Sequence, residues 1–261
     1  MQIKRLLAAT AAIALLPTAA AAQSSGYYGS ISGYASFQSD SENDGEFTSD
    51  FLTGQGSDAV PAGTPLPAGT EVGWTTEFDT GYGLNAALGK RLRGGFRGEV
   101  EFSYESADVD THVGVSAAGL DLTAQDAAVL TGSETPLGAT VGAVVADGQG
   151  SLETIGLYAN AYYDFANASA FTPYVGGGIG WNQTDVDYSP SGVEIIDDSG
   201  SGFAWQVMGG ASYQATDTTE IFGGIRYRSS EAEVDASLFP AEFDVENDRV
   251  IGEVGIRFGF N

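Results

Sequence analysis

The chain has no cysteine and a single histidine among its 261 residues. Beyond the first residues it has no apolar run approaching the roughly 18–20 residues that a membrane-spanning helix needs. Basic residues are scarce: 10 Lys and Arg face 35 Asp and Glu, for a net charge of −25. Each shortage excludes something. A secreted chain without disulfides must be held by a large core or a closed hydrogen-bond network. A helical membrane protein is ruled out. So strongly acidic a chain has no electrostatic footprint for nucleic acid.

The start of the sequence indicates export. Lys4 and Arg5 precede an apolar stretch from Leu6 to Leu16, Pro17 breaks it, and Ala20 to Ala22 supply small residues for a cleavage site. This order is that of a secretory signal. Residues 1–22 are therefore expected to be removed, leaving 23–261 as one domain, and no cysteine stands where a lipid anchor would need it.

What the sequence does contain is alternation. In Phe96–Ala107, Phe96, Gly98, Val100, Phe102 and Tyr104 interleave with Arg97, Glu99, Glu101, Ser103 and Glu105. A period of two marks a β-strand with chemically opposed faces. The same pattern runs through Tyr27–Gln38, Trp74–Gly89, Ile155–Phe165, Pro173–Asn182, Phe203–Gln214, Glu220–Arg228 and Arg249–Phe260, and no apolar face carries a charge. The opposite faces mix Tyr, Ser, Asn, Gln, Arg and Glu with many glycines, which suits a crowded polar interior.

The links alternate in length. Residues 39–73, 108–154, 183–202 and 229–248 are long, whereas 90–95, 166–172 and 215–219 are short. Up-and-down barrels of the outer membrane have this asymmetry, with long external loops and short periplasmic turns. A strand of twelve residues at ~3.3 Å each, tilted by about 40°, rises roughly 30 Å and so spans a bilayer core. The pattern predicts an all-β protein, an eight-stranded antiparallel up-and-down transmembrane β-barrel. Phe96 and its companions then face lipid, and Arg97, Glu99 and Glu101 point into the lumen. Aromatic rings favour both bilayer interfaces. The expected girdles are Tyr27, Phe96, Phe165, Phe171, Tyr213 and Phe260 at the short-turn end, and Phe37, Trp74, Tyr104, Trp181, Phe203 and Trp205 at the other.

Several stretches carry a resemblance: "FDTGYGLNAALGKRLRGGFRGEVEFSYES", "YANAYYDF", "FTPYVGGGIGW", "GGASYQATDTTEIFGGIRYRS" and "VGIRFGF". Together they resemble the small outer-membrane β-barrel proteins of Gram-negative bacteria, of the OmpA, OmpX and opacity-adhesin types. The likeness runs over Ser24 to Asn261 and is specific at the strands rather than in the links. It implies a place in the outer membrane, both termini in the periplasm, and contact with lipid, lipopolysaccharide and the outer-membrane assembly machinery. Members of the family usually end on an aromatic residue, whereas here Asn261 follows Phe260.

Candidate sites follow from the two faces. Arg97, Arg226, Arg228, Arg249 and Arg257 share the lumen with Glu99, Glu101, Glu105, Asp164, Glu220 and Glu253. An unpaired charge there would lose its solvation, so an ion-pair plug is expected, with a gated pore as the alternative. Gly176, Gly178 and Gly180 lack the Lys and Ser/Thr of a phosphate loop and are read as making room for bulky neighbours. "DSENDGEF" puts Asp40, Glu42 and Asp44 at the spacing of a calcium loop, but Phe51 occupies the position that needs a bidentate Glu. A solvated acidic loop is expected there, with no specific metal site and no cofactor. Ser116 and Asp110 lie near His112 in sequence, which is weak support for a catalytic triad, and no enzymatic activity is expected. A short helix within Asp121–Leu130 is expected in the second long link. The long links hold most of the acidic residues and no Lys or Arg. They are the surface expected to recruit divalent cations or a basic partner, on a monomeric protein with a structural or surface-interaction role; a small-solute channel is the alternative, and a lipid-modifying enzyme a remoter one.

Overall fold

The alternation read from the sequence is realised as antiparallel pairing all the way round a ring. The computed structural model describes residues 26–260; the expected signal sequence, residues 1–22, and the C-terminal Asn261 lie outside the described residues. In chain order the strands are β1 Tyr27–Gln38, β2 Ser41–Phe47, β3 Phe51–Leu52, β4 Pro65–Leu66, β5 Glu71–Phe78, β6 Gly81–Arg91, β7 Phe96–Ala117, β8 Leu120–Asp121, β9 Gly150–Asp164, β10 Phe171–Tyr188, β11 Ile196–Gln214, β12 Thr219–Asp235, β13 Ala241–Glu246 and β14 Arg249–Gly259. Eight of them close the ring: β1 pairs β6, then β7, β9, β10, β11, β12 and β14 follow, and β14 returns to β1 from Tyr28↔Gly259 to Gln38↔Arg249. Neighbours in the ring are neighbours in the chain apart from the closing pair, which makes it an up-and-down barrel. Among the described residues no helix is long and apolar enough to cross a membrane.

Side chains divide as the period of two requires. Val100, opposite Leu88 and Ala159, is 57% exposed on the outer face. Arg97, Glu99, Glu101, Ser103 and Glu105, its alternates on β7, are all buried within. Exposed rings gather at both ends of this apolar band. Phe96 touches Tyr163, Tyr163 touches Phe165, and Phe171 touches Tyr213 at one end; Trp205 meets Tyr227 at the other. Tyr27, Phe37 and Trp181 are exposed on the same face, with Tyr104 and Phe260 half-buried there.

Beyond the band the structure corrects the sequence reading. The long links are not solvated loops. The strands continue past the apolar band, and β2, β5 and β13 join them in a second sheet, β12–β13–β2–β5–β7. This is a cap on one end of the barrel. The "DSENDGEF" stretch is largely strand β2, and β7 runs on for 22 residues. The expected strand Trp74–Gly89 is two strands, β5 in the cap and β6 in the barrel wall. Trp74 is consequently not an interface ring. It is 8% exposed and packs on Phe243 at 4.6 Å inside the cap. The helices of the second link are Ala128–Thr131 and Val141–Val145 rather than one within Asp121–Leu130.

The physical change at the boundary is an inversion of polarity without a change of period. Along β12, Arg226, Arg228 and Ser230 point inward, and Ala232 and Val234 continue on that side. The outward positions pass from Ile225 and Tyr227 to Glu231, Glu233 and Asp235. On β10, inward Asn182 and Thr184 give way to Val186 and Tyr188 while Asp185 and Asp187 face out. Lipid outside demands an apolar outer face, and water outside demands the reverse. The cap thereby acquires an ordinary apolar core, with Phe47 and Phe243 fully buried and Phe47 5.7 Å from Phe239.

The lipid-facing assignment is testable at mid-wall. Val100→Arg is expected to cost roughly 2–4 kcal/mol of folding stability in a bilayer near the midplane. Ser103→Arg, pointing inward, should act through crowding instead. Urea titrations in lipid vesicles check both, and a neutral Val100→Arg would reverse the two faces.

Candidate functional site: the lumen network and the acidic cap

All eight ring strands send side chains into the lumen, Tyr174 and Asn182 of β10 among them. At the short-turn end Arg97 Nε donates to Asp164 at 2.9 Å, and its guanidinium lies 3.9 Å from the Tyr162 ring centre. Arg257 donates to Glu220 at 2.6 Å. Glu99 accepts from the Tyr28 hydroxyl at 2.8 Å and the Tyr162 hydroxyl at 3.2 Å. At mid-height Glu101 is shared by Arg226 at 2.5 Å and Arg228 at 3.0 Å, while Arg226 also reaches Glu253 at 3.0 Å. Gln206 accepts from both arginines and donates to Asn160 at 2.7 Å. Nearer the cap Glu105 accepts from Arg249 at 2.8 Å and the Tyr34 hydroxyl at 3.1 Å.

Every lumen charge named from the sequence therefore has an opposite charge within reach, and the pairs link strands far apart in the chain. Other members were missed as a group. Arg91, which reaches Glu220 at 2.5 Å, fell in what reads as a short turn, yet β6 extends to include it. Tyr28, Tyr34, Asn160 and Gln206 sit on the polar face of their strands, and that position was the available signal. The glycines of β10 do make room: a Cβ at Gly176 would enter the Tyr162 ring, and one at Gly180 the Tyr158 ring. A cavity of about 10 Å³ lies in this network beside Glu99, Arg226 and Glu253, at the lower limit of what one water needs (~10–15 Å³).

The cap presents a different chemistry. Its strand register sets Asp44 opposite Asp244, Glu46 opposite both Glu242 and Glu71, Glu231 opposite Glu246 and Glu233 opposite Asp244. Like charges directly opposed across a sheet destabilise it. Glu242 shows the effect: Glu233 above all, then burial and the carboxylates of Asp235, Asp244 and Glu46, raise its affinity for a proton. Burial first, and then Asp248, Glu42 and Glu231, do the same for Glu246. Where β11, β12 and β13 meet, an outer groove of about 460 Å³ puts Phe203 and Trp205 beside Glu231, Glu246 and Asp248.

His112 joins neither surface. It is 2% exposed in the cap core and hydrogen-bonds through Nδ1 with the Thr76 hydroxyl at 2.8 Å. Asp110 is on the solvent face of the same strand and Ser116 lies beyond a break in register, so the structure does not assemble the three into a triad.

A closed ring with an apolar belt, paired aromatic rims and an ion-paired interior is the construction of a bacterial outer-membrane barrel. The chain belongs to the family described as outer membrane protein beta-barrel domain, which it matches over residues 6–258. It is accordingly an integral protein of the bacterial outer membrane. Over 73 residues it is 37% identical to outer membrane protein PagN of Salmonella typhimurium, a match that spans 26% of this chain and 30% of PagN. The outer membrane protein OprG of Pseudomonas aeruginosa shares the fold at a TM-score of 0.53 and 12% identity, with 91% of this chain and 97% of that one covered. Neisserial surface protein A aligns at a TM-score of 0.41 and 15% identity, covering 90% and 98% of the two chains.

The network makes a quantitative forecast. The double variant Arg226→Ala/Arg228→Ala leaves Glu101 and Glu253 buried without their cations, and breaking buried pairs from one side typically costs about 3–5 kcal/mol. Its urea midpoint should fall well below that of the parent. Replacing an exposed residue such as Arg93, in the turn before β7, should leave the midpoint where it was.

Proposed function

We propose that the barrel is a closed anchor and the cap is the working surface, a non-enzymatic surface-interaction module for a cationic partner. The observation that carries this reading is the ladder of opposed carboxylates on β2, β5, β12 and β13, which nothing basic in the long links neutralises. Such a face is least stable alone and gains most from positive charge brought to it. In outer-membrane barrels the long connections are the external ones, so this face meets the surroundings of the cell and the polar rim of the lipopolysaccharide. Among the described residues no group of three acidic or histidine side chains is placed to hold a metal ion. Spread along strands, the carboxylates fit an extended basic surface better than one chelated ion, and the exposed rings of Phe203 and Trp205 suit Lys and Arg side chains, which favour aromatic faces.

The lumen supports the anchor half of the proposal, because Arg226 and Arg228 reach across it to Glu101 and Glu253 and the cavity beside them is only about 10 Å³. The channel is the alternative that the same preparation tests. In planar bilayers the purified barrel is expected to show no ohmic conductance. In vesicles it should bind polylysine with an affinity that falls steeply with salt, and Glu231→Gln/Glu233→Gln/Glu246→Gln should weaken that binding by about tenfold or more without moving the urea midpoint down. Steady conductance in the parent with no binding of polylysine would replace the anchor by the pore.

A further inference from the structure

All four long connections converge on one buried histidine. The cavity beside His112 takes Val72 from the first connection and Trp74 next to it, Val145 from the second, Tyr188 and Ile195 from the third and Phe239 from the fourth. Its volume is about 20 Å³, enough for one water-sized group. The imidazole lies 4.8 Å from the Tyr188 ring and edge-on to Trp74 at 6.4 Å. One nitrogen, Nδ1, is engaged with Thr76; the other, Nε2, has no hydrogen-bond partner although it is buried at this apolar wall.

We propose that His112 is an acid-sensing latch: neutral, it packs the four connections together, and protonated, it puts a charge in an apolar wall and lets the cap open. The Thr76 hydroxyl already accepts from Asn43 Nδ2 at 2.8 Å and from Trp74 Nε1 at 3.2 Å, so its own hydrogen goes to Nδ1 and the neutral ring carries its hydrogen on Nε2. A second proton, at Nδ1, would face the Thr76 hydroxyl with no acceptor there and would put a full charge against an apolar wall. Burial accordingly pushes the His112 pKa down to about 4, against the pull of Asp147, whose carboxylate favours the imidazolium. From β5 the ring is faced by Trp74 and Thr76, which do not titrate, and from β10 by Tyr188, whose burial holds its hydroxyl in the neutral form.

The direction follows from linkage. An open cap offers His112 an ordinary proton affinity near pH 6.5, and the closed cap offers much less. Closure is therefore complete above about pH 6.5 and weakens by about tenfold for each pH unit below it, down to about pH 4. Glu242 and Glu246 act in the opposite sense, because their raised proton affinities relieve the outer repulsion as the medium acidifies. Comparison with a histidine-free variant removes their contribution. Opening the cap would uncover Phe47, Phe239 and Phe243, an apolar surface presented only in acid.

The test uses the whole protein in lipid vesicles with Trp181→Phe/Trp205→Phe, which leaves Trp74 as the single tryptophan of the three. Between pH 6.5 and 4.5, Trp74 emission is expected to shift to the red. Amide exchange in β2 and β13, corrected for intrinsic rate, should speed up by about fortyfold while β1 and β14 stay protected. His112→Phe in the same background should keep its cap closed across this range. An unchanged parent, or the same acid response in His112→Phe, overturns the latch. Should that variant open the cap even at pH 7.5, the imidazole of the parent is titrated by nuclear magnetic resonance instead. A midpoint below about 5.5 supports the latch and one near 6.5 overturns it.

Discussion

Hydrocarbon offers no partner to a backbone N–H or C=O, and the rest of this protein depends on meeting that constraint. A sheet can satisfy it only by closing on itself. Here β1 must find β14 across the whole length of the chain, and it does so over eleven register positions from Tyr28↔Gly259 to Gln38↔Arg249. Closure at this strand number leaves an interior just wide enough for side chains to fill. Once the ring is closed, inward positions are deprived of bulk water, and each charge they carry needs an opposite charge on another wall. Glu101 between Arg226 and Arg228 is the central instance.

The same geometry explains why the strands do not stop at the membrane. A strand that leaves the lipid keeps its pairing and its pleat, since both are backbone properties. Its surroundings change instead. The cap is what the barrel wall becomes when water replaces acyl chains: the apolar residues move inside, and the acidic ones move out. β2, β5 and β13, which have no place in the membrane ring, complete this upper sheet and carry much of its acid.

Two stresses coexist in the cap. Its outer face holds carboxylates against one another, and its inner face closes over a histidine whose burial disfavours a second proton. The apolar core of Phe47, Trp74, Phe239 and Phe243 holds the sheet together against both. The cationic partner proposed above would relieve the first stress, which acid also eases through Glu242 and Glu246. The second is the one on which the proposed latch would act.

Much of this was legible along the chain. Alternation in Phe96–Ala107 and its seven counterparts, with long and short links in turn, was enough for an eight-stranded barrel and for the sorting of Arg97, Glu99, Glu101 and Arg226 to the inside. These are local properties, because a period of two survives in any strand whatever it pairs with. The cap was legible in part: Glu231 to Asp235 and Ala241 to Glu246 alternate just as strictly, but in the opposite phase, so a search for apolar outer faces passed over them. Trp74 was misplaced for the same reason, since a ring beside a strand end looks alike whether lipid or a second sheet receives it. Which arginine meets which glutamate, and that Trp74, Val145, Ile195 and Phe239 gather around His112, was decided by tertiary structure alone. Those contacts depend on how the ring's register and the cap's pairings align residues more than a hundred positions apart, and no local pattern encodes that alignment.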